Sequence, residues 1–136
     1  MSYGVSGALQ QAIYSALQAD VDLHALVSGA VFDAEPSGVL PDLYVSLGPE
    51  TARAASDVTG AGALHEFIVS VVSDAAGFSM AKMVGARISD ILVDADLSLS
   101  RGVLVSCRFY KAKAARDENG TQRRIDLTFR AQVDDG

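Results

Sequence analysis

Tryptophan is absent, cysteine occurs once, and the only three prolines, Pro36, Pro41 and Pro49, fall in one short stretch of the 136 residues. The lone Cys107 excludes an internal disulfide. It sits in "VLVSCRFY", where a buried strand thiol is expected, because a reactive cysteine needs basic and partly exposed surroundings. Nothing points to an oxidising compartment. With aromatics at 7%, the core must be built mainly from Val, Leu, Ile and Ala. No apolar run approaches the ~20 residues that span a bilayer. No basic stretch precedes the first helix, as it would in a signal peptide. A soluble chain made in the cytoplasm, with no membrane partner, is therefore expected.

Catalytic motifs are also missing. The two histidines, His24 and His65, lie in no "HExxH" and have no cysteine at ligand spacing, so neither a metal nor another cofactor is expected. "TGAGALHE" has two glycines but leads into a strand and lacks the Lys-Ser/Thr of a phosphate loop. "VDADLSLS" holds a fragment of a calcium-loop pattern without its glycine and closing glutamate. No serine stands in a nucleophile elbow. A catalytic role is not expected.

What the chain does have is an uneven charge. Residues 1–100 carry three Lys/Arg against twelve Asp/Glu, whereas residues 101–136 carry eight against five. The net charge of −6 makes tight nonspecific duplex binding unfavourable, because that binding rests on neutralising phosphates. Aromatic stacking platforms for single strands are scarce near the basic segment. A split of this kind suits docking of one protein surface against another, the alternative being a small α+β ligand-binding domain or an adaptor that contacts nucleic acid through its basic hairpin.

The length fits one domain, residues 1–136, burying about two-thirds of its unfolded surface. Val5, Leu9, Ile13 and Leu17 recur at helical spacing and predict an amphipathic helix over 5–19. Asp20 is placed to cap a short second helix that ends at Gly29. Val31–Asp33 and Leu43–Leu47 read as strands around a loop set by Pro36, Gly38 and Pro41. The small, polar segment from Gly48 to Gly62 reads as a long mobile loop. Leu64–Ser73 is β-branched and apolar on both faces, which predicts a central strand. Residues 78–93 form the second main helix, with Ala81, Val84, Ile88 and Leu92 on its buried side.

A hairpin closes the chain: Val103–Ala115, a turn at "DENG", and Thr121–Val133. Ile125, Leu127, Phe129, Ala131 and Val133 alternate onto one face. In the first arm, Val103, Val105, Cys107 and Phe109 are expected inward, followed on the same face by Lys111 and Lys113. At ~3.3 Å per residue each arm is about 40 Å long, against a domain diameter of roughly 36 Å. The basic tip is therefore expected to leave its own core and meet a neighbour.

The fold class is α+β: a mostly antiparallel sheet, two main helices packed on it, and a long C-terminal β-hairpin, in the order α-α-β-β-β-α-β-β. The segments "VFDAEP…P…YVSLG", "HEFIVSVVSDAAG" with "AKMVGARISDIL", and "RDENGTQRRIDLTFRAQV" together resemble the tail-completion, or tail-terminator, proteins of long-tailed phages and phage-like gene transfer agents. The resemblance spans nearly the whole chain. It implies a non-enzymatic virion protein located at the head–tail junction. Such proteins form a sixfold ring that caps the tail tube, ends its polymerisation and meets the head-side connector, while DNA passes through the lumen without specific binding. In such a ring the basic hairpin (Lys111, Lys113, Arg116, Arg123, Arg124) would lie on a neighbouring copy, with Glu50, Arg53 and Asp57 completing the subunit or partner interface.

Overall fold

The computed structural model describes residues 3–34, 36–55, 62–117 and 120–135. Three helices, α1 (Ser6–Ala19), α2 (Val21–Val27) and α3 (Ser79–Leu92), join five strands. These are β1 (Val31–Phe32), β2 (Leu43–Ala54), β3 (Gly62–Ser73), β4 (Val103–Arg116) and β5 (Arg123–Asp134). The sheet order is β1-β2-β3-β5-β4; only β1 and β2 run parallel. The element order and the α+β class follow the sequence reading.

The helices cover one face of the sheet. Leu9, Ile13 and Leu17 of α1 and Val84, Ile88 and Leu92 of α3 pack against Phe67, Val69 and Val71 of β3 and against the inward set of β5. β3 is central, as its two apolar faces predict, and all five alternating residues of β5 are buried. Asp20 caps α2 by accepting from the Leu23 amide at 2.8 Å. Gly29 follows α2 at φ +76°, a conformation that favours glycine, and a Cβ there would displace the His24 ring, 2.9 Å away.

Three expectations need correction. First, β2 extends seven residues past the expected Leu43–Leu47, and β3 begins two residues before the expected Leu64. Glu50–Ala54 pair with Ala63–Phe67, so most of the supposed loop is a hairpin, and residues 56–61 lie outside the described residues. A bulge between Leu47 and Glu50 absorbs Pro49, which cannot donate to the ladder. Thr51–Ala54 lack apolar alternation because they are exposed, and that concealed the strand.

Second, the C-terminal hairpin does not leave the core. β5 pairs with β3 along its whole length, from Gly62↔Asp134 to Ser73↔Arg123. The arms are long, but so are the strands beside them, and β5 is an interior strand. Only β4 is an edge.

Third, Lys111 and Lys113 do not continue the inward face of β4. Bulges between Leu104 and Ser106 and between Phe109 and Lys111 each shift the register. Leu104, Cys107, Phe109, Ala112 and Ala114 lie opposite the inward residues of β5, while Lys111 and Lys113 oppose Thr128 and Asp126 on the open face. Val103 and Val105 are exposed.

Candidate assembly interface

The sheet presents two edges of different character. Along β4, Arg108, Lys111, Lys113 and Arg116 are exposed. At the opposite edge Asp33 follows β1 and Asp42 precedes β2, and Asp74, after the central β3, lies beside Asp42; all three are exposed. Asp74 N–H donates to the Asp42 carbonyl at 3.0 Å, which holds these two acids together. Burial and then the neighbouring Asp42 carboxylate push the Asp74 pKa above its ordinary value. Five strands at about 4.8 Å spacing separate the edges by roughly 19 Å.

The open face of the sheet is also rich in cations, and its interior ones are held by their own chain. Ser70 Oγ donates to Asp126 Oδ1 at 2.7 Å, and Arg124 Nε donates to the same oxygen at 3.0 Å. Arg130 stacks 3.5 Å above the Tyr110 ring centroid, with Glu66 3.9 Å away. Arg108 stands directly across the ladder from Arg130, so that stacking supports a cation facing a like charge.

The expected interface residues separate into two groups. Lys111, Lys113 and Arg116 are exposed along the β4 edge, and Arg53 is exposed at the far end of β2. Arg123 is only 8% exposed; it donates to the Ala76 carbonyl at 2.7 Å and the Gly120 carbonyl at 3.2 Å, and lies over the Phe78 ring. Its charge closes the hairpin end onto the start of α3. Arg124 is tied to Ser70 and Asp126. Asp57 lies outside the described residues, as do Glu118 and Asn119 of the turn. Asp117 organises that turn, accepting from the Gly120 and Thr121 amides at 3.0 and 2.9 Å.

Glu50 turns inward on the helix-covered face, its side chain 19% exposed. It accepts from Tyr3 Oη at 2.6 Å, from Ser6 Oγ at 2.9 Å and from His65 Nδ1 at 3.0 Å. Burial alone would raise its pKa, but the bonds from Tyr3, His65 and Ser6 outweigh burial and hold the carboxyl below its ordinary value. An ionised carboxylate only accepts, so His65 Nδ1 carries the proton. This cluster ties α1 to the β2–β3 hairpin. It was not legible in sequence, since its members stand 15 to 47 positions apart.

Cys107 is buried, and burial followed by the Asp94 charge pushes its pKa up to about 11, which makes it an inert packing residue. Among the described residues no group of three or more His, Cys, Asp or Glu is arranged to hold a metal ion, and no helix is long and apolar enough to cross a membrane.

A structural α+β domain with contrasting sheet edges is thus defined. A family model described as Tail completion protein gp17 matches residues 11–134, and the chain belongs to that family. It is a structural tail protein. A solved structure titled "Virion of native gene transfer agent (GTA) particle" contains a chain 59% identical to this one, with a TM-score of 0.91 over 98% of this chain and 99% of that one. A second solved structure, 14% identical, has a TM-score of 0.61 over 98% and 96% of the two chains and shares the fold. No curated protein matches the chain significantly.

Proposed function

We propose that this protein forms a ring, of six copies by the family resemblance, that caps the tail tube of a gene-transfer-agent-like particle, ends its polymerisation and joins it to the head-side connector. Its partners are further copies of itself, the tail tube protein and the connector or stopper protein. DNA passes through the lumen without specific binding. The work is assembly, not catalysis.

One observation carries the reading: a basic edge at β4 and an acidic edge beside β1 on opposite sides of one sheet. A cyclic assembly brings two different surfaces of adjacent copies together, and closure stops lateral growth. Lys111, Lys113 and Arg116 supply the cationic side, with Arg53 beside the β2–β3 end. Arg123, Arg124 and Glu50 support this surface from within the subunit. Exposed pairs contribute only about 0.2–1 kcal/mol each, so charge selects the partner and apolar contact supplies the holding energy. The 59% identity to a chain of a gene transfer agent virion supports the same setting.

Electron micrographs of purified particles test this. A ring at the head-proximal end of the tail is expected, and removal of the protein gives tubes of uncontrolled length without heads. Copies distributed along the tube, or normal tails in its absence, overturn the proposal.

A further inference from the structure

The helical cover of the sheet is incomplete. α3 packs over β3 and β5 and reaches β4 only in part, leaving a groove between them. The inward side of β4 is left bare there, and Phe109, Ala112 and Ala114 face Gly85 and Ala86 of α3 across a groove of about 320 Å³ floored by Leu127. The register shift at Phe109 turns two alanines inward, and their small side chains keep the groove open. Lys82 flanks it on α3, and Arg116 lies one step beyond Ala114 on the same face.

A matching projection stands at the other edge. The segment between β1 and β2 carries Val39, which is fully exposed. A single exposed valine is unremarkable by itself. Here it follows Gly38 at φ +81° and is bracketed by Pro36 and Pro41, so the loop is stiffened before it meets anything. Asp33 and Asp42 flank this segment in the chain, and Asp74 is bonded to Asp42. An exposed apolar residue flanked by acids at one edge thus complements an apolar groove flanked by cations at the other. Groove and loop also share one end of the sheet: Asp42 and Asp74 adjoin the Leu43↔Ser73 pair, and Ala114 opposes Ile125, which opposes Val71.

We propose that the Val39 loop of one copy seats in the Phe109–Ala112–Ala114 groove of the next, making this the apolar contact of the ring. The inference rests on the ring reading above and adds which surfaces meet. Asp42 and Asp74 then approach Lys82 and Arg116 of the adjacent copy, which relieves the repulsion between the two carboxylates.

The test is a paired-cysteine variant, Val39→Cys with Ala112→Cys in one chain, oxidised in assembled particles whose rings are counted in micrographs. Both positions are exposed, and the native Cys107 is buried. A disulfide needs Cα atoms within about 7 Å, so it reports the specific contact. The expected result is a ladder of covalent multimers up to the ring's copy number, absent from each single variant. Intact rings that yield only single chains overturn the loop-in-groove contact and leave the ring reading standing. Particles with no ring of this protein overturn both. A photo-crosslinker at position 112 should capture the Val39 segment of another copy; capture of the tube or connector protein instead overturns the inference. Asp42→Lys should weaken assembly at least tenfold, with recovery when Arg116→Asp is added in the same chain.

Discussion

β4 and β5 are two arms of one hairpin with opposite fates. β5 carries five charged residues in twelve, and its alternate positions are buried throughout. β4 carries four in fourteen, yet Cys107 is its only buried residue. Charge content therefore does not decide burial. β5 lies between β3 and β4 with its apolar residues at strict period two, so one face meets the helices and the other aims its cations at Asp126 and Glu66. β4 has one neighbour, two bulges and an open groove between it and α3. Position and period make one arm part of the core and the other a surface for contact.

The largest expected effect falls on Phe129, which is 0% exposed, stacks on Phe67 at 5.6 Å and meets Phe109 edge-on at 5.9 Å. Phe129→Ala should destabilise the fold by about 3–5 kcal/mol in urea unfolding. Phe109 stands directly across the ladder and is 46% exposed, so Phe109→Ala should cost only about 1 kcal/mol. Equal costs would break the comparison, because they would show that the two arms are equally part of the core.

Next comes the carboxylate that anchors β2 near its exposed end. Glu50→Ala leaves the Tyr3, Ser6 and His65 donors without their acceptor and should cost about 1–3 kcal/mol. Because the folded-state pKa of Glu50 lies below its unfolded value, its contribution is fully present above about pH 4.3 and is lost as pH falls through the folded pKa. The gap in melting temperature between wild type and variant should therefore narrow from pH 7 to pH 3. A gap that widens on acidification would show that the carboxylate is not ionised in the fold.

How much of this was legible in the sequence follows from the same contrast. Where a segment is covered on one face, as in α1, β3, α3 and β5, periodicity reports it, and Ile125 to Val133 could be assigned inward from the sequence. At the edges periodicity fails. Thr51–Ala54 form a strand without an alternating pattern, and one extra residue after Phe109 moves Lys111 and Lys113 to the other face. A bulge leaves no mark in composition. The cationic cluster of the C-terminal segment was visible, but its division into internally held Arg123 and Arg124 and exposed Lys111, Lys113 and Arg116 depends on Ala76, Ser70 and Asp126, which are brought beside it by strand order.

The smallest effect on stability should come from the β4 cations, and it separates folding from assembly most cleanly. Lys113 opposes Asp126 across the ladder, but that carboxylate already accepts from Ser70 and Arg124. A third donor at an exposed edge adds little. Lys113→Ala and Arg108→Ala should each change unfolding free energy by no more than about 0.5 kcal/mol. Arg108→Ala also removes the like charge opposite Arg130, so its effect should be neutral or stabilising. Arg123→Ala provides the contrast within the same basic segment: loss of its bonds to Ala76 and Gly120 frees the hairpin end from α3 and should lower stability by about 1–3 kcal/mol. If the edge cations serve contact between copies, Lys113→Ala leaves the melting temperature unchanged while making ring formation weaker and less sensitive to salt, because one screened attraction has been removed. A Lys113 variant that loses stability as Arg123→Ala does would instead make β4 a strand whose charges serve its own fold.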